Sequence, residues 1–237
     1  MIRSFSALCF ALPLFAAPVL AQATASVPGD PQAWATAQVA AAAPYAPDLE
    51  TLQEEALLRA RWSKTMEVCA APPGEVRLYG LQPAHADRLV ANGILAGAFH
   101  GGWTFYGETD CAETPVVRYL YIAETSGQHV MLVVNRGEVI STPSMMRETS
   151  AIAGADAFDA ARAEVPDCAI ESVGMRQTGV VSADPNLSPA LAGTRFSGGW
   201  RELWQFTACA RGVDVTVRFD ADGLGGSTAR IETVEVR

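Results

Sequence analysis

Leu95-Ala96-Gly97, a short spacer, Gly101-Gly102-Trp103, then an aromatic run closing at Cys111: this stretch returns later in the chain. The second copy is Leu191-Ala192-Gly193, a spacer one residue longer, Gly198-Gly199-Trp200, then an aromatic run closing at Cys209. Each copy has a further cysteine upstream, Cys69 and Cys168. Cys69 and Cys168 lie 99 residues apart, Trp103 and Trp200 lie 97 apart, and Cys111 and Cys209 lie 98 apart. Separate features therefore agree within two residues, as a duplicated unit requires.

Each copy reads in one order: helix, cysteine, strand, helical turn, Leu-Ala-Gly, Gly-Gly-Trp, strand, cysteine, strand, turn, strand. That order predicts an α+β fold of two tandem, similar units. Each is a mainly antiparallel β-sheet with a helix on one face and one disulfide of its own. The predicted divisions are a signal peptide over 1–23, an Ala/Pro-rich flexible leader over 24–47, a first unit over 48–147 and a second over 150–237.

The start of the chain carries an export signal. Arg3 precedes an apolar run from Phe5 to Ala17, and Ala21-Gln22-Ala23 is a small-x-small cleavage site. The run is too short to span a membrane, and Cys9 would leave with it. Four cysteines then remain, an even number. In an oxidising compartment they are expected as two disulfides, and four cysteines allow three pairings. The duplication selects Cys69–Cys111 and Cys168–Cys209. Each closes a loop of roughly 40 residues, a constraint of about 4 kcal/mol in the chain-entropy model. There is no Cys-x-x-Cys pair, which argues against zinc. The expected location is periplasmic or secreted.

Hydrophobic residues make up 49% of the chain and charged residues 18%, enough for packed cores. The formal net charge is -9, and Lys64 is the single lysine. No basic cluster exists to neutralise a phosphate backbone, so nucleic acid is not an expected partner. No later stretch is long and apolar enough for stable membrane insertion.

Along the first copy, Asp48 reads as the cap of a helix running towards Cys69 and ended by Pro72-Pro73-Gly74. A strand is expected at Glu75–Leu81 and a helix from Pro83 to Val90, stopped by Asn92-Gly93. Strands follow at Trp103–Thr109, Val116–Ala123, Gln128–Asn135 and Glu138–Ile140. The second copy predicts a helix at Asp156–Glu164. It then predicts strands at Ile170–Arg176, Val180-Val181, Trp200–Ala208, Val213–Ala221 and Thr228–Val236. Trp103 to Cys111 is eight residues, and Trp200 to Cys209 is nine. An odd shift inside a strand changes its face, so both cysteines are expected just past their strand ends.

Chemistry is sparse. The three histidines are His85, expected on the surface, His100 in a loop, and His129 on a strand facing solvent. Sequence signatures of serine hydrolases, zinc proteases, P-loops and dinucleotide sites are absent. Catalytic residues and cofactors are therefore expected to be none. Asp220 and Asp222 open a calcium-like loop, but Leu224 and Ile231 stand where ligands are needed. Trp200, Trp204 and Phe206 share one strand face, with Glu202 between the tryptophans, and Trp103 and Phe105 do the same in copy one. These rings form either core or an exposed aromatic strip for a sugar, peptide or protein chain.

The leading expectation is a non-enzymatic binding or envelope-associated protein, its partner an unknown protein, peptide or glycan. One alternative is an exported hydrolase with a site between the units, using His100 or His129 and a carboxylate. Another is a calcium-stabilised β module.

Overall fold

The structure, a computed structural model, describes residue 27 and residues 29–62 and 69–237. The export signal with Cys9, and residues 63–68 of the segment running to Cys69, lie outside the described residues.

Eight strands form two four-stranded antiparallel sheets. The first runs β1 (Val76–Pro83), β2 (Phe99–Thr109), β3 (Val116–Glu124) and β4 (His129–Arg136), paired in chain order. The second runs β5 (Gly174–Ala183), β6 (Gly199–Ala208), β7 (Arg211–Ala221) and β8 (Ser227–Val236), again in chain order. The helices are α1 (Pro31–Ala42), α2 (Leu49–Trp62), α3 (Arg88–Leu95) and α4 (Pro143–Glu164). None of the described helices is long and apolar enough to cross a membrane.

The two units match in register. Trp103 pairs with Pro83 at the end of β1 and with Tyr121 on β3. Trp200 pairs with Ala183 at the end of β5 and with Phe219 on β7. The disulfides are Cys69–Cys111 and Cys168–Cys209, one in each unit, with Cα atoms 5.6 and 5.3 Å apart. Cys111 and Cys209 both lie past their strand ends, so the odd shift reverses no face.

Each sheet buries one face under a helix. Trp103, Phe105, Tyr119 and Tyr121 pack with Leu52, Ala56 and Ala60 of α2. Trp200, Trp204, Phe206, Val215 and Phe219 pack with Ala153, Ala157 and Ala161 of α4. Small residues on the helices let their axes approach the large rings. The exposed aromatic strip is thereby corrected: Trp103, Phe105, Trp200, Trp204 and Phe206 are all buried. Each contributes upwards of about 2 kcal/mol by leaving water, which makes them core and not a binding face.

Several elements differ from expectation. The leader holds α1, because Asp30 accepts from the Gln32 amide, Pro31 occupies the first turn and alanines follow. α4 starts well before Asp156, at Pro143, where the Thr142 hydroxyl accepts from the Met145 amide. The expected boundary at 147–150 falls inside α4, and Val139, Met145 and Met146 belong to the second core. Asp87, not Pro83, opens α3, its carboxylate accepting from the Leu89 amide. Asn92-Gly93 continues that helix, since Gly93 lies against the Phe99 ring where a Cβ would collide. Ile170–Ser172 is a 3₁₀ turn, and one strand spans Gly174–Ala183. The Leu-Ala-Gly copies also diverge: Gly97 follows the end of α3, whereas Ala192-Gly193 is a tight turn pressed on Pro83 and Ala84.

The β6–β7 turn gives a first testable expectation. Ala208 pairs with Arg211, and the two residues between, Cys209 and Ala210, have φ of 56° and 61°. Glycine suits the second position of such a turn. Ala210→Gly will raise the unfolding free energy by about 0.5–1 kcal/mol, read as a higher urea midpoint. A lower midpoint would contradict the turn geometry.

Candidate functional site

The junction of the two units gathers the polar chemistry of the chain. Asn135 Nδ2 donates to Gly137 O at 2.8 Å and to Thr178 Oγ1 at 2.9 Å, and Thr178 Oγ1 donates to Arg136 O at 2.7 Å. These bonds tie β4 to β5. The Tyr106 hydroxyl then donates to Val139 O at 3.0 Å.

Further along the connection lies a buried carboxylate. Glu202 is 0% exposed, at the core position that Phe105 holds in the first unit. Its Oε1 accepts from Ile140 N at 2.8 Å, Ser141 N at 2.7 Å and Trp200 Nε1 at 2.9 Å. Its Oε2 accepts from Ser141 Oγ and Trp204 Nε1, both at 2.9 Å. From the first unit, buried Arg118 donates to Ser141 O at 2.6 Å and lies over the Tyr106 ring. Glu138–Ile140 therefore forms no strand, because the Ile140 and Ser141 amides serve Glu202.

Asp87 links the next pair of elements. Its carboxylate accepts from Leu89 N at 3.0 Å, Ser144 Oγ at 2.9 Å and Ser144 N at 2.8 Å. One buried anion thus serves the N-terminal ends of both α3 and α4, where it meets their positive dipoles. On another side of the junction, Trp34 and Val39 of α1 pack with Ala192 and Phe196 of the second unit. The next turn seats Tyr45 on His100 of the first unit, with ring centroids 3.6 Å apart.

Two hollows flank the first turns of α4, and Ser144 borders both. The larger is a cleft of about 420 Å³. Its walls are Arg88 and Asn92 of α3, Met145 and Glu148 of α4, and the glycine-rich Asp222–Ser227 turn, with Val27 and Gly29 alongside. Arg88 and Glu148 form an ion pair across it. Ser227 Oγ is buried and has no hydrogen-bond partner. The smaller hollow is an apolar groove of about 290 Å³ walled by Leu89, Leu120, Leu132, Val134, Met146 and Met175.

The histidines do not meet at either hollow. His85 is 1% exposed, a correction to the surface position expected for it. Gly101, Ala42 and the Trp103 ring enclose it, and neither ring nitrogen has a partner. Burial holds its pKa down at about 4, so the ring is neutral near pH 7. His100 belongs to strand β2 and not to a loop, and stacks on Tyr45. His129 faces solvent as expected, its Nε2 3.7 Å from Glu55 Oε1 within the first unit. The hydrolase reading needs a histidine and a carboxylate in the shared cleft, and the described residues do not assemble them.

The acidic loop residues are already engaged. Arg218 bridges Asp184 at 2.6 Å and Asp220 at 2.7 Å, and hydrogen bonding to that guanidinium holds the Asp184 carboxyl below its usual range. Asp222 Oδ1 accepts from Leu224 N at 2.7 Å and Gly226 N at 3.0 Å, closing its own turn. Asp220 and Asp222 thus both serve the β7–β8 hairpin. Among the described residues, the one group of metal-capable side chains is Cys69, Cys111 and Glu113, and its sulfurs form the disulfide.

Sequence reasoning missed Glu202, Arg118, Asp87, Ser141 and Ser144. Only Glu202 left a signal: it sits at period two between two inward tryptophans. The arrangement can position, bind and exclude water, and among the described residues no histidine–carboxylate pair lies in either hollow. Comparison with protein-family models, with curated proteins and with solved structures finds no match.

Proposed function

We propose that the chain is an exported, non-enzymatic binding or envelope-associated protein that holds a peptide or glycan in the junction cleft. The observation that carries this reading is the make-up of the cleft. Its walls come from both units, and its volume of about 420 Å³ falls within the usual range for ligand sites. Asn92 and the Arg88–Glu148 pair offer donors and acceptors beside apolar Met145 and Leu224. Export is supported by the leader sequence and by two disulfides, which belong to oxidising compartments. The formal charge of -9 speaks against nucleic acid.

A thermal-shift screen of protein recovered from the periplasm tests this, using defined oligopeptides and oligosaccharides as probes. One class will raise the melting temperature, and Asn92→Trp, which fills the cleft, will abolish the rise while leaving the ligand-free value in place. Protein found in the cytoplasm with reduced cysteines would overturn export. A screen without a shift, or a shift that survives Asn92→Trp, would overturn the cleft.

A further inference from the structure

The apolar groove is a separate feature and carries a separate inference. Apolar side chains of both units make most of its wall, and Leu132 is 41% exposed there. Arg147, on α4, is the only charged residue in its lining. No carboxylate of the described residues lies within ion-pair distance of Arg147, although acidic residues outnumber basic ones by 26 to 17.

A second positive feature lies beside the groove. Arg136 of β4 reaches across the junction, its Nη1 donating to Arg176 O at 3.4 Å. Arg176 directly follows Met175, which lines the groove. Arg136 and Arg176 also lack a carboxylate partner among the described residues. The two cations lie close enough to disfavour one another: burial first, and Arg176 second, lower the Arg136 pKa. At the groove itself Arg147 stands as an uncompensated cation on an apolar rim, while Arg136 and Arg176 lie outside its lining.

We propose that this groove binds a single-chain anionic amphiphile, a fatty acid, with its alkyl chain along Leu132, Val134, Met146 and Met175 and its carboxylate towards Arg147. A planar guanidinium matches a carboxylate in two-point geometry. The hollow of about 290 Å³ takes roughly ten heavy atoms at the ~30 Å³ that one water-sized group occupies. Most of a single twelve-carbon chain fits that space with its carboxylate end outside at the exposed Arg147, and a two-chain lipid body does not fit. No contact of the peptide or glycan cleft is needed, so the two readings stand or fall separately.

The test is isothermal titration of the full mature protein with dodecanoate below its micelle concentration. Dodecanol, butyrate, dodecyltrimethylammonium and a lysophospholipid serve as comparisons. Dodecanoate is expected to bind with one-to-one stoichiometry, and the other four more weakly. Arg147→Glu will weaken dodecanoate about tenfold by reversing the charge at the rim. Leu132→Trp, at a partly exposed position, will block the groove and abolish binding. Arg59→Glu, on α2 on the opposite face of the first sheet, will leave the affinity unchanged. Equal binding of dodecanol or of the cationic chain would overturn the inference, as would equal loss in Arg59→Glu or an unchanged affinity in Leu132→Trp. Tighter binding of the lysophospholipid would overturn the choice of head group. Both rim and groove positions are surface-accessible, and the circular-dichroism spectrum of each variant establishes that it folds.

Discussion

Glu202→Ala will lower the unfolding free energy by about 3–5 kcal/mol, one of the two largest single-residue effects expected in this protein. The carboxylate receives two indole N–H groups, two backbone amides and one hydroxyl, all in a site without water access. Alanine strands those donors and also leaves a void between Trp200 and Trp204. Glu202→Phe separates the two causes. Phenylalanine fills the space, as Phe105 does at the matching position of the first unit, but it accepts nothing. It should still cost about 2 kcal/mol or more. Denaturant titration followed by tryptophan fluorescence reads both variants. Because Arg118 and Glu202 hold the same residue, Ser141, from opposite units, Arg118→Met and Glu202→Ala will not be additive. A coupling of about 0.5–3 kcal/mol is expected from the double-mutant cycle. A Glu202→Ala loss below about 1 kcal/mol would show that the network contributes little.

The second large effect concerns acid. His85 is neutral in the folded chain, with a pKa of about 4 against an ordinary value of 6.5. The unfolded chain takes up a proton at that residue as pH falls through about 6.5, and the folded chain does so only near 4. His85 therefore imposes no acid penalty above about 6.5, and the penalty grows across the window down to about 4. It reaches about 3 kcal/mol at the bottom of that window. The cause is burial alone, with no charged neighbour contributing. His85→Leu should remove this part of the acid sensitivity. It should also hold or raise stability at neutral pH, because two unpartnered ring nitrogens disappear from the interior. Asp184 and Glu232, whose pKa values arginine partners lower, will lose stability in acid in both proteins. The informative quantity is therefore the gap between the wild-type and His85→Leu urea midpoints. A gap that stays constant from neutral to acid would refute the assignment.

The cysteine spacing made the disulfide pairing legible, since two independent offsets selected one arrangement of three. The β6 strand was legible as well, because the alternation along Trp200–Ala208 is a local property. The helices were less so. α4 is built from alanine, glycine, serine and threonine over much of its length, and such residues show almost no apolar stripe even when one side is buried. α1 is alanine-rich for the same reason, and it passed for a leader. That error carried over to His85, because Ala42 at the end of α1 helps to enclose the ring. Glu202 was visible as an inward-facing residue, but its donors Ile140 and Ser141 come from a distant connection. Long-range partners of a buried carboxylate have no local signature. The same holds for Asp87 with Ser144 and for both hollows, which exist only once the units are brought together.

α1 has a consequence for the order of assembly. It is made early, yet Ala192 and Phe196, against which Trp34 and Val39 rest, are made late. Until those residues arrive, α1 has only half a seat. Closing so wide a loop before the second sheet exists would cost chain entropy without the compensating contacts. Among the described elements, the first helix in the sequence is thus expected to settle last, and its docking marks the point at which both halves are complete.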